Sequence, residues 1–290
     1  MQTLLLNHQT RAVVQGITGK VGQAQTHWML KAGTPLVAGV TPGRGGQVVE
    51  GLPVYDTVHE AVTQQQANAS VIFVPASFAR EAAFEAIDAG LQLVVIVTEH
   101  IPMRDTMEIK ARSQLAGVTV IGPNCPGIFI PSVGKLGIMP ESIFRKGNIG
   151  VVGRSATLSY EVIANLTDAG LGQTAAIGVG GDPIVCTEFS EALKLFEADD
   201  QTTGVVLVGE IGGSAEERAA EYIAGMSKAV VALIAGKAAP PGKRFGHAGA
   251  IIRAGGGGAQ HKIDILRQAG ASIAASPSQI PTLMKDRLRH

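Results

Sequence analysis

The sequence predicts an α/β fold made of parallel sheets in two successive domains. Three observations carry this expectation. Its 290 residues exceed what one small domain needs and are comfortable for two. Hydrophobic residues make up 46% of the chain and aromatics only 4%, with 37 glycines. An aliphatic, glycine-rich core of that kind suits strands buried on both faces. Aliphatic runs of strand length also alternate with amphipathic stretches of helix length, the rhythm of right-handed βαβ units.

The first series opens with a short strand at Arg11–Gln15. The turn Gly16-Ile17-Thr18-Gly19-Lys20-Val21-Gly22 leads into a helical pattern through Lys31. Leu36–Val40 reads as a strand, Ser70–Val74 as the next, and Phe78–Ala89 as a helix. Leu91–Val97 and Val118–Ile121 complete the first set of strands. After Asn124-Cys125-Pro126-Gly127 the rhythm breaks, and Ile128–Gly147, rich in Pro, Gly and Ser, reads as a connector. A second series follows, with strands at Asn148–Val152, Gln173–Val179, Gly204–Gly209 and Ala229–Ile234. Its helices are Ser155–Asp168, Phe189–Ala198, Ser214–Met226 and Gln260–Ala269. The expected domains are therefore residues 1–130 and 148–290, joined by 131–147.

Bulk composition narrows the partners. Lys+Arg and Asp+Glu are both 24, so the net charge is zero, and no basic run occurs. Phosphate-backbone binding needs clustered cations, so no nucleic acid is expected. Two cysteines, Cys125 and Cys186, imply no disulfide framework and favour a reducing compartment. The first residues resemble neither a secretory signal nor a transit peptide, and no apolar run reaches the roughly 18 residues a membrane helix needs. The expectation is a soluble cytoplasmic protein. The seven histidines are scattered and neither cysteine has a Cys-x-x-Cys partner, so no metal site is expected.

Strand, Gly16-x-x-Gly19-x-x-Gly22, then helix is a nucleotide-binding turn. Glycines let the backbone approach a pyrophosphate, and the helix N-terminus offers unpaired N–H groups. An NAD site carries Asp or Glu near the end of the second strand. Here that strand runs into Thr41-Pro42-Gly43-Arg44-Gly45-Gly46, with a cation where the acid is expected. Arg44 suits a phosphate-bearing ribose, meaning CoA or NADP; its bland alternative is a solvated loop charge.

A second constellation lies at Gly242-Lys243-Arg244-Phe245-Gly246-His247-Ala248-Gly249-Ala250. A neutral imidazole among small residues is a capable nucleophile toward phosphorus or acyl groups. Ser155 and Thr157 suit the start of a helix, which can hold phosphate through backbone N–H groups. Glu210 follows another strand and can orient the imidazole, although a helix N-cap role serves equally well on sequence alone. Loops at strand C-termini converge in parallel sheets, which places all three together. Gly-Arg-Ser-Ala-Thr at 153–157 is not the Gly-x-Ser-x-Gly of a hydrolase nucleophile.

Taken together the motifs resemble the alpha subunits of succinyl-CoA synthetase (succinate–CoA ligase) over essentially the whole chain. They are Gln15–Gly19, Gly39–Gly46, Thr98-Glu99, Gly122–Gly127, Gly178–Pro183, Gly209–Gly213 and Gly246–Ala250. The resemblance implies a CoA-binding Rossmann-like domain followed by a flavodoxin-like ligase domain. It implies that Thr18, Gly19, Lys20, Val21 and Arg44 contact CoA, with Val97, Thr98 and Glu99 on the adenine side. Tyr160 matches the carboxylate-substrate position, His247 the phosphorylated histidine, and Glu210 its carboxylate partner. Ser155, Ala156 and Thr157 match the helix end facing the phosphate. A beta subunit of ATP-grasp type, in a heterodimer or heterotetramer, would bind ATP or GTP with Mg²⁺. The implied cycle phosphorylates His247, passes the phosphate to succinate as an acyl phosphate, and lets the CoA thiolate displace it.

Four positions depart from the family pattern. Ala156 stands for glycine, Arg44 for lysine, His100 for the glycine after Thr-Glu, and Phe245 for the methionine before Gly-His. Ala156 adds a methyl beside the expected phosphate and substrate, which leaves open a different acid, such as malate or another small dicarboxylate. Two further readings are a non-catalytic CoA-binding regulatory protein and an NADP-dependent reductase. The first leaves residues 148–290 without a use; the second lacks an evident acid–base constellation for hydride transfer.

Overall fold

The computed structural model describes residues 4–239, 246–251 and 257–289. Its described residues form an α/β protein with two compact units, one within 5–139 with 184–187 and the other within 140–183 and 188–289 together with residue 4.

In the first unit, β1 (Ala12–Gln15), β2 (Leu36–Val40), β3 (Val48–Val49), β4 (Leu52–Tyr55), β5 (Ala69–Ile72), β6 (Leu93–Ile96) and β7 (Thr119–Ile121) form one sheet. Its order is β3-β4-β2-β1-β5-β6-β7, parallel except for the β3/β4 pair. The helices are α1 (Lys20–Lys31), α2 (Val58–Gln65), α3 (Ala76–Asp88) and α4 (Met103–Ala116). Strands β1, β5 and β6 are buried at every residue, as the unbroken aliphatic runs require. Helix α3 turns Ala79, Ala83, Ala86 and Ile87 inward at i, i+4, i+7 and i+8. Buried polar groups here are paired, as where Ser70 Oγ donates to Gln15 Oε1 at 2.7 Å and Gln15 Nε2 donates to the Ala82 carbonyl at 2.9 Å. Within the stretch read as a connector, β8 (Gly127–Ile130) and β9 (Gly134–Gly137) form a buried antiparallel hairpin. Its glycines permit close pairing, since a Cβ on Gly127 would stand 1.9 Å from the Leu136 carbonyl oxygen.

In the second unit, β10 (Lys146–Gly153), β11 (Gln173–Gly178), β12 (Gly204–Glu210), β13 (Ala229–Ala235) and β14 (Ser272–Ile273) lie parallel in the order β14-β13-β12-β10-β11. The helices are α5 (Ala156–Asp168), α6 (Phe189–Ala198), α7 (Ala215–Ile223), α8 (Ala259–Gln268) and α9 (Ile280–Leu288). Helix α6 buries Phe189, Ala192, Leu193 and Phe196, and Phe196 packs where a side chain at Gly150 would stand. Gly153 pairs with Val208 and Glu210 with Ala235, so β10 and β12 end at the same edge of the sheet. That edge carries the second constellation.

Among the described residues no helix is long and apolar enough to cross a membrane.

Candidate functional site

The glycine turn after β1 forms the floor of a cavity of about 860 Å³ in the first unit. Gly22 is required by packing: a Cβ there would lie 2.2 Å from the Gly16 carbonyl oxygen. Helix α1 therefore starts directly over the turn. Its N-cap is Gly19, which supplies no side-chain cap, so the first N–H groups are open to an anion. Thr18 Oγ1 donates to Thr41 Oγ1 at 3.2 Å and ties this turn to the loop after β2.

Arg44 is exposed on that loop, and Asp56 shapes it from below. Asp56 Oδ1 accepts both the Arg44 and Gly45 backbone N–H groups at 2.9 Å. Thr18, Gly19, Thr41 and Asp56 line the cavity, whereas Lys20, Val21, Arg44, Val97, Thr98 and Glu99 are not among its lining residues. Lys20 and Val21 begin α1 and are exposed. Thr98 Oγ1 donates to the carbonyl of Val74, a lining residue, at 2.7 Å, while Val97 is half-buried and Glu99 exposed.

In the second unit the residues of the His247 constellation meet. His247 Nδ1 lies 2.7 Å from Glu210 Oε2. Glu210 is the last residue of β12, and Ser214 is the N-cap of α7, so the N-cap alternative for Glu210 is not realised. The other carboxylate oxygen of Glu210 stands 3.3 Å from Arg154 Nε, and both side chains are under a tenth exposed. Arg154 Nη2 also donates to the Asp182 carbonyl at 2.7 Å. Because Arg154 immediately precedes Ser155, the N-cap of α5, it links the start of that helix to the carboxylate.

The Glu210 hydrogen bond raises the His247 pKa above its ordinary 6.5. Burial opposes the shift, the Glu210 charge adds to it, Arg154 counters it, and Asp182 adds again. With Nδ1 holding its proton toward the carboxylate, the neutral ring keeps its lone pair on Nε2, a nucleophilic nitrogen with a fixed tautomer.

Ser155 Oγ caps α5 by accepting the Leu158 N–H at 3.4 Å. Ala156 and Thr157 form the first turn, and Tyr160 follows on the same helix, half-buried. Among the described residues no hydrogen bond joins Ser155, Ala156 or Thr157 to His247. Lys243, Arg244 and Phe245, the residues before the histidine, lie outside the described residues.

Sequence reasoning assigned no role to three groups here. Arg154 lies in the Gly-Arg-Ser-Ala-Thr run at 153–157, where nothing local marks it as a partner of a distant carboxylate. Gly181 packs against the imidazole: a Cβ at 181 would stand 2.6 Å from His247 Cγ and Cδ2. Its carbonyl also accepts the Gly249 N–H at 3.2 Å, closing the histidine loop. Asp182 adds a charge that acts on the ring. The Gly-Gly-Asp-Pro run after β11 was the available signal, since paired glycines beyond a parallel strand mark close backbone approach.

Comparison with known proteins assigns these two constellations to a family. Residues 7–100 match the family described as CoA binding domain, and residues 152–272 match the family described as CoA-ligase. The chain is 54% identical over 283 residues to the succinate–CoA ligase [ADP-forming] subunit alpha 2 of Archaeoglobus fulgidus, covering 98% of this chain and 99% of that one. It is 56% identical over 277 residues to the corresponding alpha subunit of Methanothermobacter thermautotrophicus, covering 96% and 94%. The alpha subunit of Staphylococcus aureus is 52% identical, covering 96% and 92%. The same fold occurs in the solved ATP citrate lyase of Methanothrix soehngenii in complex with citrate and coenzyme A. There the TM-score is 0.89 at 24% identity, over 100% of this chain. The chain spans about half of that protein, 51%. The two domain matches and the near-full-length identity agree: the chain belongs to the succinate–CoA ligase alpha-subunit family.

Proposed function

We propose that the chain is the CoA-binding, phosphate-carrying half of a succinate–CoA ligase, working with a beta subunit of ATP-grasp type in the cytoplasm. The observation that carries this reading is the 2.7 Å contact between Glu210 and Nδ1 of His247, beside the start of a parallel-sheet helix. Residues 1–130 would hold CoA and residues 148–290 the phosphohistidine. Thr18, Gly19, Lys20, Val21 and Arg44 would hold the phosphates of CoA, and Val97, Thr98 and Glu99 its adenine. The open N-terminus of α1 and the cavity beside it fit such a ligand.

Nε2 of His247 would accept the phosphoryl group from ATP or GTP, whose Mg²⁺ site would lie on the beta subunit. Ser155, Ala156 and Thr157 would face the phosphate. A helix N-terminus favours a nearby anion by about 0.3–2 kcal/mol. Tyr160 would contact the acid. Phosphate would then pass to succinate, and the CoA thiolate would displace it from the acyl phosphate. No nucleic acid or membrane partner enters the proposal. Heterodimer and heterotetramer both accommodate this division of labour.

The reading is tested by thioester formation. The chain, assembled with a beta subunit, is supplied with CoA, ATP or GTP, Mg²⁺ and a panel of small acids. Succinyl-CoA should form fastest, and His247→Asn should abolish it. A preference for malate would point to Ala156 as the cause. No thioester with any acid would defeat the ligase reading.

A further inference from the structure

An ion pair lies buried beside the strand end that carries Glu210. The side chains of Lys262, on α8, and Glu216, on α7, are both 0% exposed. Taking two ions out of water costs several kcal/mol each, and apolar residues of the same volume often stabilise a fold as well or better. Stability alone therefore gives this pair no purpose. What it holds does.

Lys262 Nζ donates to Glu216 Oε2, to the Glu210 carbonyl at 3.0 Å, and to the Gly212 carbonyl at 2.6 Å. Glu216 Oε1 accepts the Glu210 N–H at 3.0 Å. Both backbone polar groups of Glu210 therefore end on the pair. The strand makes room for it, because a Cβ on Gly209 would stand 2.8 Å from Glu216 Oε1. A further acid, Glu217, lies 3.8 Å from Lys262 Nζ.

We propose that Lys262 and Glu216 are positioning residues that clamp the backbone of Glu210, so that its carboxylate meets Nδ1 of His247 and holds the imidazole with Nε2 ready to react. The catalytic consequence rests on the phosphocarrier reading. The placement of the ring does not, and it can be measured in the chain alone. Among the described residues, the charged groups acting on His247 are Glu210, Arg154 and Asp182. None of them is replaced when the pair is altered, so a change at the histidine reports where the Glu210 carboxylate sits.

The test titrates the labelled His247 imidazole by NMR in the full-length chain, its signals assigned by their loss in His247→Asn. The double variant Lys262→Met/Glu216→Gln removes both buried charges at nearly constant volume. Its His247 midpoint should fall toward that of Glu210→Gln, and the preference for the proton on Nδ1 should weaken. Leu266→Ala serves as a control. It opens a cavity in the same helix α8, where Leu266 is fully buried, and should leave the midpoint in place. If the double variant does not fold, Glu216→Asp, which keeps the charge but shortens its reach, should lower the midpoint in the same direction. A midpoint equal to the parent's in the folded variant, or an equal fall in Leu266→Ala, overturns the proposal. Neither result bears on the ligase reading, which fails separately if no thioester forms.

Discussion

Glu210 sets the behaviour of His247, and the sign of its effect is testable. A histidine whose folded pKa is raised contributes stability that is fully present below its ordinary value of 6.5 and lost as pH rises through the raised value. The reactive form is the opposite one, because only the neutral ring offers a lone pair on Nε2. Phosphorylation of His247 should therefore increase with pH, with its half-point above 6.5. Glu210→Gln should move that half-point down while slowing the plateau on the order of 10²-fold or more, because the tautomer is no longer held. Stopped-quench labelling across pH checks both; an unmoved half-point would contradict the pairing.

A second residue is informative for the backbone. His100 replaces the glycine expected after Thr-Glu, and it adopts φ 64° with its side chain 83% exposed. The left-handed region costs a non-glycine residue roughly 1–2 kcal/mol, partly offset by the greater unfolded-state freedom of glycine. His100→Gly should leave stability unchanged or raise it by up to about 1 kcal/mol. His100→Val should lower it by more than about 1 kcal/mol, because a β-branched residue is poorly accommodated there. Denaturant unfolding distinguishes the two.

Among elements, α5 matters most, because its first turn carries Ser155, Ala156 and Thr157. Its side-chain cap is one 3.4 Å contact, long for a hydrogen bond. Ser155→Ala should cost about 0.5–1 kcal/mol, the lower half of the usual range for lost caps. A loss beyond about 2 kcal/mol in urea unfolding would mean that Ser155 does more than cap.

The elements legible in the sequence were those with a clear periodicity. Phe189–Ala198 and Leu36–Val40 fall where the pattern places them, because no buried residue in them is polar. Helix α4 is not legible in the sequence, for the opposite reason. It buries Thr106 and Ser113 with Ile109, and exposes Met103, Met107 and Leu115, so its pattern inverts the rule. Helix α2 is eight residues long with only Val58 and Ala61 buried, too short for a period to show. The β8/β9 hairpin was hidden by the glycines that allow its strands to touch. At the site, His247 and Glu210 were visible as residues beside glycines after strands. Lys262 was not, because it meets Glu210 across 52 positions of sequence, and nothing local to α8 announces that contact.

At the scale of the whole molecule, two mostly parallel sheets each carry one candidate site. The turn after β1 and the open N-terminus of α1 suit a nucleotide-like ligand, while the ends of β10, β11 and β12 gather Arg154, Gly181, Asp182, Glu210 and His247. On the proposed reading the chain carries phosphate but takes it from a nucleotide held elsewhere, so phosphorylation should require the partner. The most direct test incubates the chain with γ-labelled ATP or GTP and Mg²⁺, with and without a beta subunit, and measures acid-labile, base-stable phosphate. Label should appear on His247 only when the beta subunit is present and should vanish in His247→Asn. Absence of label in the complete mixture, or equal label in His247→Asn, would contradict the central claim that this histidine carries the phosphate.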